Sequence, residues 1–223
     1  MASPSRVELR LRALALARDC ATLGARIRTI HHLTGLRPQE LLHLLFTDRA
    51  PPPRGRAPDT REWYHHANLL NRTEASVVVS NFRRLRNMGF PAGEALVAAY
   101  SYYQTVYRPP HRISFDRAFD LAAHTDGVWI AKSASFQVAR CRRCGSEYLD
   151  AVGTPTGDDG NCPFCRLIAR HGRDPRLTAS TPDRPVSSDE AVRAWLLRHH
   201  SQNRAGGEMP GTSFEFSAAP PQR

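Results

Sequence analysis

CRRCGSEYLDAVGTPTGDDGNCPFC, residues 141–165, divides the chain into a part that needs a core and a part that needs an ion. Two CxxC pairs, with 17 residues between the inner cysteines, contain four of the five cysteines of the 223-residue chain. The spacing suits a four-thiolate site: each pair forms a tight knuckle, and the intervening loop brings the knuckles together. Gly145 follows the first pair, where a knuckle turns through positive φ, and Pro163 stiffens the second. Gly153, Gly157 and Gly160 let the loop turn. One structural Zn2+ per chain, held by Cys141, Cys144, Cys162 and Cys165, is the expectation; four protein ligands leave no position for water or substrate. Iron is the competing metal, because rubredoxin-type knuckles also read CxxCG and CPxC. Arg166 in place of a glycine after the second pair favours zinc.

Outward from this module, composition narrows the classes. Apolar residues are 41% and charged residues 23%, as in an ordinary globular protein. No apolar run reaches the 18 or so residues that span a bilayer. Glu8, Arg10 and Arg12 interrupt any signal-peptide core at the N-terminus. The expected setting is a reducing cytoplasm with no membrane partner, where paired CxxC motifs bind metal more often than they form disulfides. Thirty-one basic residues against 21 acidic ones give a formal +10, and Lys132 is the one lysine among them. Arginine forks suit phosphates and guanine edges, so nucleic acid is a fitting partner. A GC-rich genome accounts equally well for the arginine-to-lysine ratio, though not for the net charge.

The predicted fold is mainly α. A helical domain over 5–138 precedes a small four-cysteine, zinc-ribbon-like module over 139–169 and a partly disordered Pro/Arg/Ser-rich tail over 170–223. Ser5-Arg6-Val7-Glu8 reads as a capping box, opening a helix that runs to about Leu33 and stops at Thr34-Gly35. Pro38 opens a second, to Phe46. Residues 50–58 read as an extended basic connector. Asn71-Arg72-Thr73-Glu74 reads as the capped start of a helix with Val78, Val79, Phe82 and Leu85 inward and Arg83, Arg84 and Arg86 outward. Pro91 opens a helix carrying Ala95, Leu96, Ala99, Tyr102 and Tyr103. Ser114 caps another, Phe115 to His124, with Asp116 and Asp120 on its polar side. Residues 128–138 are read as further helix, and Ser188 to His200 as a short helix in the tail.

Other constellations carry less. Ile27 to Leu45 aligns to a helix-turn-helix with Ile30, Leu36, Leu41 and Leu44 packing and Arg37, Gln39, Glu40 and His43 facing outward; an ordinary helical hairpin fits as well. The histidine pairs at 31–32, 65–66 and 199–200 lack ligand spacing and read as surface or interface residues. Cys20 reads as core. No Walker loop, dinucleotide fingerprint or GxSxG elbow is present, so no enzyme is expected.

Thr22-Leu23-Gly24-Ala25-Arg26, the Pro51-Pro52-Pro53-Arg54-Gly55 connector leading to Trp63-Tyr64, Ala99-Tyr100-Ser101-Tyr102-Tyr103 and the four-cysteine cluster resemble, in that order, the FlhC family. The resemblance runs from about Leu9 to Leu167 and leaves out the tail. It implies a transcriptional activator subunit that joins FlhD in a hetero-hexamer, binds double-stranded promoter DNA of flagellar operons, with other operons open as targets, and assists RNA polymerase. The expected phosphate contacts are Arg83, Arg84, Arg86, Arg140, Arg142 and Arg143. Two other readings fit the residues alone: a zinc-ribbon nucleic-acid-binding or scaffold protein without promoter specificity, and a small iron-thiolate electron carrier.

Overall fold

Capping chemistry sets most of the helix boundaries. The computed structural model describes residues 5–47, 51–53, 55, 62–153, 162–175 and 177; the expected tail helix and most of the basic connector lie outside them. Ser5 Oγ accepts from the Glu8 amide at 3.2 Å and Glu8 Oε2 accepts from the Ser5 amide at 2.7 Å, the reciprocal box that opens α1 (Arg6–Thr22). That helix stops well short of Leu33. Gly24 takes a left-handed φ of 81°, the Ala25 amide donates to Cys20 O, and the chain restarts as α2 (Ile27–Thr34). Gly35 at φ 71° and Pro38 at the first helical position then connect to α3 (Pro38–Phe46).

The short α4 (Glu62–His65) precedes α5 (Leu69–Asn87), which packs against two later helices, a C-terminal one and both strands. Asn68, not Asn71, is its cap: Asn68 Oδ1 accepts from the Asn71 amide at 2.9 Å. The expected start is displaced because Thr73 and Glu74 are buried inside the helix, leaving Asn68 as the polar residue at its mouth. Val78, Val79 and Phe82 are buried as expected, against Leu96, Ala99 and Tyr103 of α6 (Ala92–Val106) and Leu121 and Ala122 of α7 (Phe115–Asp126). Tyr102, expected among the packing residues of α6, is 53% exposed.

Asp116 and Asp120 are not on a polar face. They are 3% and 1% exposed. Asp116 is buried because it holds the corner between α1 and α2. It accepts from the Arg26 amide at 3.1 Å, Arg26 Nη1 at 2.6 Å and Thr29 Oγ1 at 2.5 Å. Glu74 plays the same part elsewhere, accepting from Tyr103 Oη at 2.5 Å, Arg112 Nη1 at 2.8 Å and the Arg112 amide at 3.3 Å. A buried carboxylate is tolerated when its lone pairs are met by charged and polar donors, as both of these are.

Residues 128–138 are not helix. Gly127, at φ 66°, ends α7 with its own and the Val128 amide both donating to Ala123 O. A side chain at Gly127 would meet the Ala134 amide nitrogen at 3.0 Å, so the returning chain needs a glycine there. The return becomes β1 (Phe136–Arg140), paired antiparallel with β2 (Glu147–Ala151) in the register Phe136↔Ala151, Val138↔Leu149, Arg140↔Glu147. One face of this hairpin, with Phe136, Val138 and Leu149, joins the helical core; the other, with Ala139 and Tyr148, packs against the cysteines. Among the described residues no helix is long and apolar enough to cross a membrane.

Replacing Asp116 by alanine leaves the Arg26 guanidinium and Thr29 hydroxyl without their acceptor. The expected loss is about 3–5 kcal/mol, read from urea unfolding. An unchanged midpoint would show that the α1–α2 corner does not depend on this carboxylate.

Candidate metal centre

The hairpin turn of β1–β2 is the first cysteine knuckle. The Cys141 amide donates to Ser146 O and the Gly145 amide to Cys141 O, both at 2.9 Å, with Gly145 at φ 73°. Arg140 Nε reinforces the turn by donating to Gly145 O at 3.3 Å. The second pair opens a helix: Cys162 is the N-cap and Pro163 the first residue of α8 (Pro163–His171). Cys165 lies one turn in, so both its thiol and that of Cys162 sit at the positive end of the helix dipole.

The four thiols converge. Their sulfurs all lie within 4.8 Å of one another, with Cys141 Sγ 3.7 Å from Cys165 Sγ and Cys144 Sγ 3.7 Å from Cys162 Sγ. A tetrahedron with metal–sulfur bonds of about 2.3 Å sets its sulfurs about 3.8 Å apart, so the cluster has the dimensions to hold one ion. Cys141 and Cys162 are buried, Cys165 is half-buried and Cys144 is exposed. The donor set also has the electrostatics of a cation site. Hydrogen bonds from Ser146 pull the Cys144 thiol down to about 6. Burial holds Cys162 above its ordinary value, and the hydrogen bond to Cys144 pushes Cys165 up to about 12. A cation among the sulfurs would favour their ionised forms.

The hairpin edge that faces the helices is closed by side chains. The Leu149 amide donates to Ser76 Oγ at 3.1 Å, and Leu149 O accepts from Tyr64 Oη at 2.6 Å. Glu147 accepts from the Ser80 hydroxyl. The module is thus docked along α5 through three side chains of α4 and α5.

The six arginines expected at phosphate divide into two groups. Arg140, Arg142 and Arg143 are exposed around the first knuckle, and Arg170 and Arg173 are exposed at the far end of α8. Arg83 and Arg86 instead share Asp126, at 2.5 and 2.9 Å, which offsets part of their charge; Arg84 beside them is exposed. Arg83 and Arg84 line a groove of about 590 Å³ with Met88, Val138 and Val152. In the α2–α3 pair, Ile30, Leu36 and Leu41 are buried as a helix-turn-helix requires, and Arg37, Gln39 and His43 are exposed. Leu44, expected to pack, is 53% exposed, and Glu40 is paired with Arg10.

The remaining polar candidates are structural. His31 Nδ1 lies 2.8 Å from Leu36 O and braces the turn; His32 stacks on Phe119 and burial lowers its pKa. His65 and His66 are exposed. Cys20 is fully buried, its thiol pushed up to about 12 by desolvation.

Fold and site together define a mainly helical protein carrying a closed four-cysteine cluster, of dimensions that suit a structural ion, on a basic hairpin. Residues 5–178 match the family model for the flagellar transcriptional activator FlhC. The chain is 26% identical to the flagellar transcriptional regulator FlhC of Proteus mirabilis over 176 residues, 76% of this chain and 86% of that protein. It is 26% identical to the FlhC of Paraburkholderia atlantica over 189 residues, 82% and 83% of the two chains, and 27% identical to that of Thauera aminoaromatica over 171 residues, 73% and 81%. The chain belongs to the FlhC family, a family of flagellar transcriptional regulators.

With an ion held between hairpin and helix, the metal is expected to be stoichiometric and structural. Elemental analysis of the purified protein should give one ion per chain. Cys162→Ser should lose the ion and speed hydrogen exchange in β1, β2 and α8, with α6 and α7 much less affected. Retained protection in that variant would mean that the helical core, and not the metal, holds the module.

Proposed function

We propose that this chain is the DNA-binding subunit of a flagellar transcriptional activator, acting in a hetero-oligomer with an FlhD-like subunit at promoter DNA. Family membership is the observation that carries the reading. The site is consistent with it. Zinc is the proposed ion, because a four-thiolate tetrahedron with no open position suits a redox-inert metal. Cys141, Cys144, Cys162 and Cys165 would hold it; its chemistry there is to neutralise thiolates and fix a shape.

The protein's own residues do the rest. The knuckle places Arg142 and Arg143 on a rigid, exposed turn, a geometry suited to meeting phosphates without first ordering long side chains. Arg140 borders the same turn while bracing it. Arg84 extends the proposed surface, with Arg83 and Arg86 in a lesser part because Asp126 already takes some of their charge. Contacts of this kind position the protein on the duplex. Any choice of promoter needs base-edge contacts or DNA shape as well.

The reading is tested by purifying the chain with the FlhD-like protein of the same genome and titrating the complex against flagellar promoter DNA and scrambled DNA across a salt series. Tight, promoter-selective binding that needs both subunits is expected. Equal binding to both DNAs would reduce the protein to a basic metal-binding module. Arg142→Glu with Arg143→Glu should weaken binding to both DNAs and lower the log–log salt slope by about 0.9 for each phosphate no longer neutralised. An unchanged affinity and slope would exclude the knuckle as a phosphate site.

A further inference from the structure

The first two turns of α1 stand clear of the core. Every residue from Arg6 to Arg12 is exposed, including Val7 at 68% and Leu11 at 60%. A cap alone does not stabilise so short a helical extension, which normally borrows stability from something packed against it. Val7 and Leu11, four residues apart, form one ridge along the helix. The Arg10–Glu40 ion pair brings this part of α1 beside α3, where Leu44, one turn beyond Glu40, is 53% exposed. Three large apolar side chains therefore flank one ion pair on a two-helix face.

The charges around the face are one-sided. Its two carboxylates are already engaged: Glu8 accepts from the Ser5 amide in the capping box, and Glu40 takes Arg10. Arg6 and Arg37 remain exposed around the apolar ridge. A second copy paired through this same face would bring the same cations and the same engaged carboxylates, so symmetric self-pairing lacks complementary charge. A ridge of side chains at four-residue spacing accepts a packed helix, and the surrounding guanidiniums call for carboxylates on it.

We infer that this α1–α3 face is the docking surface for an acidic amphipathic helix of the partner subunit; the inference rests on the hetero-oligomer reading above. Apolar side chains of that helix pack on Val7, Leu11 and Leu44, and its carboxylates meet Arg6 and Arg37. The phosphate-facing knuckle takes no part in this contact.

The test uses the full chain and the FlhD-like subunit of the same genome, with the dissociation constant measured by titration and the fold checked by circular dichroism and metal content. Leu11→Glu should weaken the complex about tenfold or more while leaving fold and metal unchanged, since the side chain is exposed. Arg6→Glu with Arg37→Glu should weaken it as well and flatten its salt dependence. Ile168→Glu, an exposed apolar position on α8, should leave it intact. Wild-type affinity in Leu11→Glu overturns the docking surface but leaves the hetero-oligomer standing. Failure of the wild-type chain to bind the subunit overturns the hetero-oligomer and this surface with it. Self-association of the chain alone that Leu11→Glu abolishes would assign the face to a second copy and overturn the acidic helix.

Discussion

The hydrogen bonds between Leu149 and the side chains of Ser76 and Tyr64 are the constraint on which the rest of the molecule depends. A two-stranded hairpin is marginal in water by itself, and its outer edge offers unpaired amides and carbonyls. Here the edge facing the helices is met at one residue by a hydroxyl donor and a hydroxyl acceptor, at 2.6 and 3.1 Å. That fixes the height and tilt of β2 against α5. Once β2 is set, the register of β1 follows, and with it which residues face the helices and which face the thiols. A slip by one residue would carry Phe136 and Leu149 out of the core and Tyr148 away from the cysteines. The hairpin is thus one wall of two clusters.

The same economy governs the arginines. In a chain with formal charge +10, several are structural struts. Arg26 and Arg112 serve buried carboxylates, Arg83 and Arg86 share Asp126, and Arg72 and Arg117 lie over the rings of Tyr64 and Trp63. A planar guanidinium with five donors can satisfy a buried carboxylate and stack on an aromatic ring, which an ammonium does less well. The charge left for partners is therefore distributed unevenly. Exposed arginines remain on the cysteine knuckle, at the end of α8 and around the start of α1.

Local rules made much of this legible in the sequence. The capping box at Ser5, the left-handed Gly35, Pro38 at a first helical position and Ser114 as a cap are each decided by a few neighbouring atoms, so the residues alone suffice. The four thiols were legible for the same reason, their spacing being a statement about short-range geometry. What escaped was decided at long range. Asp116 reads as a surface residue on a helical wheel, and its partners Arg26 and Thr29 lie 90 and 87 positions away. Gly24 looks like a tolerated glycine within a helix until the corner it permits is fixed by that carboxylate. Residues 128–138 read as further helix; the alternation of Phe136 and Val138 with Gln137 and Ala139, running straight into a knuckle, is the signal for a strand.

If the chain holds a partner on the α1–α3 face and DNA at the knuckle, as proposed, the two surfaces have to keep a fixed relation. The α1–α3 face is tied to the core through Ala17, Cys20, Ile30 and Leu41, all fully buried, and the knuckle is tied to that same core through Leu149 and Phe136. Between them stand α6, which packs against α1, and α5, a helix of 19 residues that packs against α6 and against both strands. Close-packed interiors shift between discrete arrangements rather than bending smoothly, so a load at one surface reaches the other with little loss. A closed thiolate site fits that demand better than a reactive one. An open coordination position would leave one sulfur wall free to move, whereas four ligands drawn from a hairpin and a helix start would, with an ion bound, lock the two elements together. Because the hairpin also docks on α5, locking it fixes the arginine knuckle relative to the helical core.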